Sequence, residues 1–214
     1  MMKKLILALI PSFFIVLTGC KNENKADAQD IEIQAVSETP FKEVTTLEEI
    51  SRLANHGKLH EAFAKGDMKS ELISANEGMS FLKSTTIYPG TGNEVEIDFL
   101  PNDSTRVWRV TVTNRSNKFH SKTGVTPGMT LEELNAINKI PVNFYGFQWE
   151  FAGAVDFNDG NLTNDKLFVY LKTDKEVPKE FIGDAPHSSL DEKAKELKLY
   201  VHKIIYEAAT AEPL

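Results

Sequence analysis

Residues 124–157 read GVTPGMTLEELNAINKIPVNFYGFQWEFAGAVDF, and the fold class turns on them. A Gly/Pro turn from Gly124 to Gly128 opens the stretch. Thr130 then offers a side-chain oxygen at a helix N-cap, and Glu132 and Glu133 fall in the first turn, where the helix dipole favours negative charge. Leu131, Leu134 and Ile137–Asn138 keep the apolar spacing of a helix, and Pro141 ends it. The aromatic run Phe144, Tyr145, Phe147, Trp149 and Phe151 reads as a strand entering a core. A short helix leading into β structure predicts an α+β fold, an antiparallel sheet packed by short helices.

The neighbouring segments extend this reading in both directions. Downstream, Asp159-Gly160 is a strong hairpin signal, predicted to join a strand over 149–157 to another over 166–171. In the latter, Leu167, Val169 and Leu171 alternate with Phe168 and Tyr170. Both of its faces are apolar, so the expectation is a central position in the sheet. Ser189 with Glu192 fits a capping box for a short helix over 190–196. Residues 197–206 carry both a helical stripe and a β alternation, and the β-branched content tips the reading toward a last strand.

Upstream, Thr46-Leu47-Glu48-Glu49-Ile50 starts a helix by the same logic as Thr130. Gly57 breaks it, and 59–64 gives a second short piece. Val95, Ile97 and Phe99 alternate with Glu94, Glu96 and Asp98, the period of a half-buried strand. Residues 106–113 repeat the device, with Val107, Arg109 and Thr111 set against Trp108, Val110 and Val112. The near-identity of TLEEI at 46–50 and TLEEL at 130–134 admits two readings. It is either a chance recurrence of helix-start composition or the mark of two tandem helix-then-sheet units, 46–123 and 124–214.

The first twenty residues address the chain. Lys3 and Lys4 precede an apolar run over 5–17, which closes on Leu17-Thr18-Gly19-Cys20. A charged start, a short apolar core and small residues before the cut make a secretory signal over 1–19, too short for a spanning helix. The Leu-Thr-Gly-Cys ending resembles the bacterial lipobox. That resemblance implies a diacylglycerol on the Cys20 thiol, cleavage before Cys20, and acylation of the new amine. The competing reading is a plain secreted protein with a free thiol. Cys20 is the chain's only cysteine, so an intrachain disulfide is impossible and the core must supply stability. Two or three acyl chains hold a bilayer durably, where one is marginal.

Residues 20–45 form the lipidated Cys and a polar tether, and 46–214 the globular domain. About 25 such residues span roughly 25–30 Å as a coil. Lys21 stands where an Asp would resemble an inner-membrane retention signal, which points to the outer membrane in a Gram-negative envelope. Periplasmic and surface faces both stay open. With Lys3 and Lys4 removed and no acid lost, the formal charge moves from −7 to −9. An acidic body gains nothing from counterion release, which argues against nucleic acid as a partner.

The body resembles uncharacterised lipoproteins of Bacteroidota, through GMTLEELNAINKIPVNFYGFQWEFAGAV. A Gly-Met-Thr opening a short helix, then a Pro and a strand, is more distantly similar to the SmpA/OmlA (BamE-like) lipoproteins and to β-lactamase-inhibitor-protein modules. That resemblance implies a protein-binding module without enzymatic activity. The sequence has Lys139-Ile140-Pro141 where those families would place Gly-Pro, so no functional residue is carried over.

Chemical signatures are sparse. His56 and His60 stand four apart beside Glu61, but Gly57 interrupts the helix face that a zinc pair needs. Asp156, Asn158, Asp159 and Gly160 mimic the start of a calcium loop, yet Gly160 is fifth rather than sixth, and Leu167 stands at position twelve. Neither is read as a metal site, and no cofactor is expected beyond the covalent lipid. Asp184, His187, Ser188 and Ser189 share one loop without a nucleophile-elbow motif. Trp108, Phe147 and Trp149 are the candidate binding residues, with core filling as the competing role. The leading expectation is a lipid-anchored scaffold for an envelope protein or component. The alternatives are an envelope hydrolase using the Asp184/His187 loop and a carrier of a small apolar ligand.

Overall fold

The computed structural model describes residues 43–75, 78, 80–113, 117–163 and 165–209. Cys20, the signal segment and most of the tether lie outside them. The described chain is α+β. Its main sheet is antiparallel and six-stranded, and three short strands form a second sheet.

Helix α1 (Leu47–Asn55) begins at Thr46, whose hydroxyl accepts from the Glu49 N–H, and it stops at Gly57, where φ is +68°. Its face of Leu47, Ile50, Leu53 and Ala54 is buried. One further turn, α2 (Leu59–Ala62), comes next. Strands β1 (Met68–Ala75), β2 (Ser80–Ile87), β3 (Val95–Leu100) and β4 (Asp103–Val112) then form a meander. Val95, Ile97 and Phe99 are buried as their alternation predicts.

In β4 the alternation does not hold along the whole strand. Asp98 opposes Arg109 and Phe99 opposes Val107, so Trp108 is the extra residue of a β-bulge. The bulge shifts the phase, and Val107 is buried together with Val110 and Val112.

Helix α3 (Leu131–Asn138) carries a complete capping box. The Thr130 hydroxyl accepts from the Glu133 N–H, and the Glu133 carboxylate accepts from the Thr130 N–H at 2.8 Å. The Thr130 N–H, and then the Thr130 hydroxyl, donate to the Glu133 carboxylate and hold it below its usual value. Both TLEE segments therefore start helices at an N-capping Thr, but the helices lead into different structure. After α3 come β5 (Asn143–Tyr145) and β6 (Val155–Asp156), which with β8 (Pro186–Ser188) form the small sheet. Strands β7 (Leu167–Lys172) and β9 (Tyr200–Glu207) join the main sheet, in the order β1-β2-β3-β4-β9-β7. The β4–β9 pairing thus makes one sheet from both halves of the chain.

Four further expectations are corrected. The aromatic run is not one strand, because Gly146 and Gly153 bring backbones together. A Cβ on Gly146 would stand 2.5 Å from the Gly183 carbonyl oxygen, and one on Gly153 would stand 2.2 Å from that of Leu171. Asp159-Gly160 does lie in a turn, with Asn158 and Asp159 at positive φ and the Gly160 N–H on the Phe157 carbonyl. It does not join a paired hairpin: β6 pairs with β5, β7 pairs with β9, and among the described residues the two arms meet at an Ala154–Tyr170 bridge. Strand β7 is an edge strand, and Phe168 on its outer face is 48% exposed. Finally, α4 (Glu192–Glu196) is capped by Asp191, because the Ser189 hydroxyl is engaged with Asn135.

Candidate functional site

The loop between β5 and β6 carries the most exposed aromatic surface of the small sheet. The Tyr145 and Trp149 ring centroids are 6.0 Å apart, and those of Trp149 and Phe151 are 5.4 Å apart, both edge-on. Tyr145 and Phe151 are exposed, the latter by 48%, and Trp149 is half-buried. The Trp149 indole N–H donates to the Gly146 carbonyl at 2.9 Å, which fixes the ring. Below the loop, the Phe147 N–H donates to the Phe181 carbonyl and the Gly183 N–H to the Phe147 carbonyl. The aromatic edge is therefore anchored by backbone bonds on its inner side.

The three sequence candidates separate. Trp149 stands in this cluster. Phe147 is buried beside Phe144 and contributes packing. Trp108 is half-buried on the bulge, its indole N–H donating to Glu207 and its ring under the Arg109 guanidinium, 4.4 Å from the centroid. Tyr145 and Phe151, two more residues of the aromatic run, complete the cluster. Strand alternation alone could not assign them, because the run is a strand only through Tyr145.

A second feature is a polar group on β3 and β4. There the Arg109 Nε–H donates to the Asp98 carboxylate at 2.7 Å, and Asp98 is buried. Among the described residues its Oδ1 atom accepts no hydrogen bond from a fixed donor. Burial, then the Asp98 charge, raises the Glu96 carboxyl above its ordinary value. The Lys203 ammonium sits 3.9 Å from the Tyr170 ring centroid, and burial lowers its pKa. A raised carboxyl binds its proton more tightly in the folded chain. Its contribution is fully present below the ordinary carboxylate pKa and is lost as pH rises through the folded value. Replacing Glu96 by Gln is therefore expected to stabilise the fold at neutral pH and to flatten the weakly acidic limb of the stability profile. Urea midpoints across that range check it, and an unchanged profile would refute the burial of this charge.

The remaining candidates do not converge. Asp184 is exposed, whereas the His187 ring packs against Phe144 and Phe181 at 5.6 and 4.6 Å between centroids. Ser188 accepts from the Leu190 N–H, and Ser189 bonds Asn135. His56 caps α1, its Nδ1 2.7 Å from the Arg52 carbonyl oxygen, and His60 lines a groove of about 280 Å³ with Leu59, Met68, Lys83 and Phe99. None of Trp108, Phe147 and Trp149 lines that groove. Asp156 accepts from the Asn158 N–H, the bond of a local turn. Among the described residues, no group of three or more His, Cys, Asp or Glu is placed to hold a metal ion.

The fold and these surfaces define a mixed α+β protein with an antiparallel main sheet. No family model, curated protein or solved structure matches the chain.

Proposed function

We propose that this chain is a bacterial lipoprotein, held to an envelope membrane by acyl chains on Cys20, whose α+β body binds another envelope protein and catalyses no reaction. The observation that carries the binding reading is the Tyr145–Trp149–Phe151 cluster. A Trp ring held by its indole N–H and flanked by two exposed aromatic rings loses little entropy on contact and offers large apolar area, the profile of an interface anchor. The anchor rests on the Leu17-Thr18-Gly19-Cys20 motif, and its implied position is the outer membrane.

Two measurements test the two halves separately. Cys20→Ser should leave the leader uncut and the chain without acyl chains. Continued sedimentation with membranes, together with a mass lacking the leader, would refute the anchor. A photo-crosslinking residue at Phe151 should capture one envelope protein, and Trp149→Ala should reduce that capture about tenfold or more, the scale of an interface hot spot. Equal capture by both would refute the aromatic site.

A further inference from the structure

Among the described residues strand β1 ends the main sheet, and two bonds fix the direction of its backbone groups. The Tyr88 N–H donates to the Asp67 carbonyl at 2.8 Å, so odd-numbered residues of this strand bond inward to β2. The Asn102 N–H donates to the carbonyl of Phe81, the residue opposite Ser74, so Phe81 bonds away from β1. Met68, Ser70, Leu72 and Ser74 therefore turn their N–H and C=O groups out from the sheet edge. No proline interrupts the strand. Leu72 is 72% exposed, and the Lys69 and Glu71 side chains, 2.7 Å apart, are exposed by 64% and 49%. Edges of this kind are templates for another strand.

We infer that β1 pairs antiparallel with β1 of a second copy of this chain, about a two-fold axis at Ser70. Outward-facing residues must oppose each other, which places the axis at a residue rather than between two, and the residue on the axis then meets its own copy. An axis at Glu71 sets that carboxylate against itself. An axis at Leu72 sets Glu71 against Ile73. An axis at Ser70 sets Lys69 against Glu71 of the other copy, twice, and covers each Leu72 with Met68. Opposite charges directly across a ladder stabilise it and like charges destabilise it. The pairing makes on the order of six backbone hydrogen bonds and continues the sheet from one copy into the next. It is independent of the lipid anchor and of the aromatic cluster.

Ser70→Cys in the full-length chain should give a disulfide-linked dimer on mild oxidation, because residues opposite each other in a ladder lie about 5.5 Å apart at Cα. Leu72→Cys should not, and the unsubstituted chain oxidised in parallel reports any link through Cys20. In sedimentation equilibrium of the detergent-solubilised protein, Glu71→Lys should raise the dimer dissociation constant by about tenfold or more, since the change acts twice. Lys69→Glu combined with Glu71→Lys should restore it. A monomer at every concentration, a crosslink through Leu72→Cys instead, a Ser70→Cys crosslink only to a different protein, or a failed restoration would each overturn the pairing.

Discussion

Asn138→Ala should cost the fold about 3–5 kcal/mol, seen as a fall in the urea midpoint at unchanged slope. Asn138 is the last residue of α3 and is fully buried. Its Nδ2 donates to the Ile140 and Phe157 carbonyls at 2.7 and 2.8 Å, and its Oδ1 accepts from the Leu162 N–H at 3.1 Å. Its own carbonyl accepts from the Asn161 N–H. One side chain thus satisfies three backbone groups around the chain reversal that separates the small sheet from β7. Alanine leaves those groups without this partner, at about 1–3 kcal/mol for each one left buried and unsatisfied, less whatever water recovers. Aspartate should be no better, because its carboxylate would face two carbonyl oxygens. Gly160 belongs to the same unit: a Cβ there would stand 2.2 Å from the Asn138 Nδ2. Gly160→Ala and Asn138→Ala should therefore be non-additive when combined. A loss below about 1 kcal/mol for Asn138→Ala would mean that the reversal holds without this residue.

Legibility in the sequence tracks the range of the forces involved. Thr46 and Thr130 announce their helices because a cap is made within three residues of itself. The alternation of Val95, Ile97 and Phe99 is legible because β3 has one buried face. By contrast β1, MKSELISA, carries no sharp contrast of apolar and polar faces, since both of its faces are largely solvated at the sheet edge. Phe168 suggested a central strand, yet its place at the edge depends on which strand β9 selects as its second partner. The bulge at Trp108 and the role of Asn138 are set by contacts distant in sequence. The two-residue period of β4 and the composition of α3 are silent about both. The aromatic cluster was half visible: the residue types stood out, but their exposure depends on where Gly146 and Gly153 turn the chain.

Gly153→Ala should be the most disruptive single methyl addition in the aromatic loop, costing about 3 kcal/mol or more. Two penalties combine. The residue has φ of +73°, where an L side chain is disfavoured by roughly 1–2 kcal/mol. The added carbon would also stand 2.2 Å from the Leu171 carbonyl oxygen and 3.1 Å from its nitrogen. These are backbone atoms of β7, so they cannot rotate away as a flexible side chain would. The same Leu171 N–H donates to the Gly153 carbonyl at 2.7 Å, and relieving the clash requires breaking that bond. The Gly153 N–H meanwhile donates to the Tyr145 and Gly146 carbonyls. A displaced Gly153 therefore loosens the base of the loop that presents Trp149. The substitution should lower the urea midpoint and expose the half-buried Trp149, shifting its fluorescence to longer wavelength before global unfolding. Gly57→Ala is the control. It also has positive φ, at +68°, but no atom lies within 4 Å of an added Cβ, so it should cost only the backbone share, about 1–2 kcal/mol. Equal losses from the two substitutions would assign the whole effect to backbone conformation and remove the close approach to Leu171 as the reason the loop turns where it does.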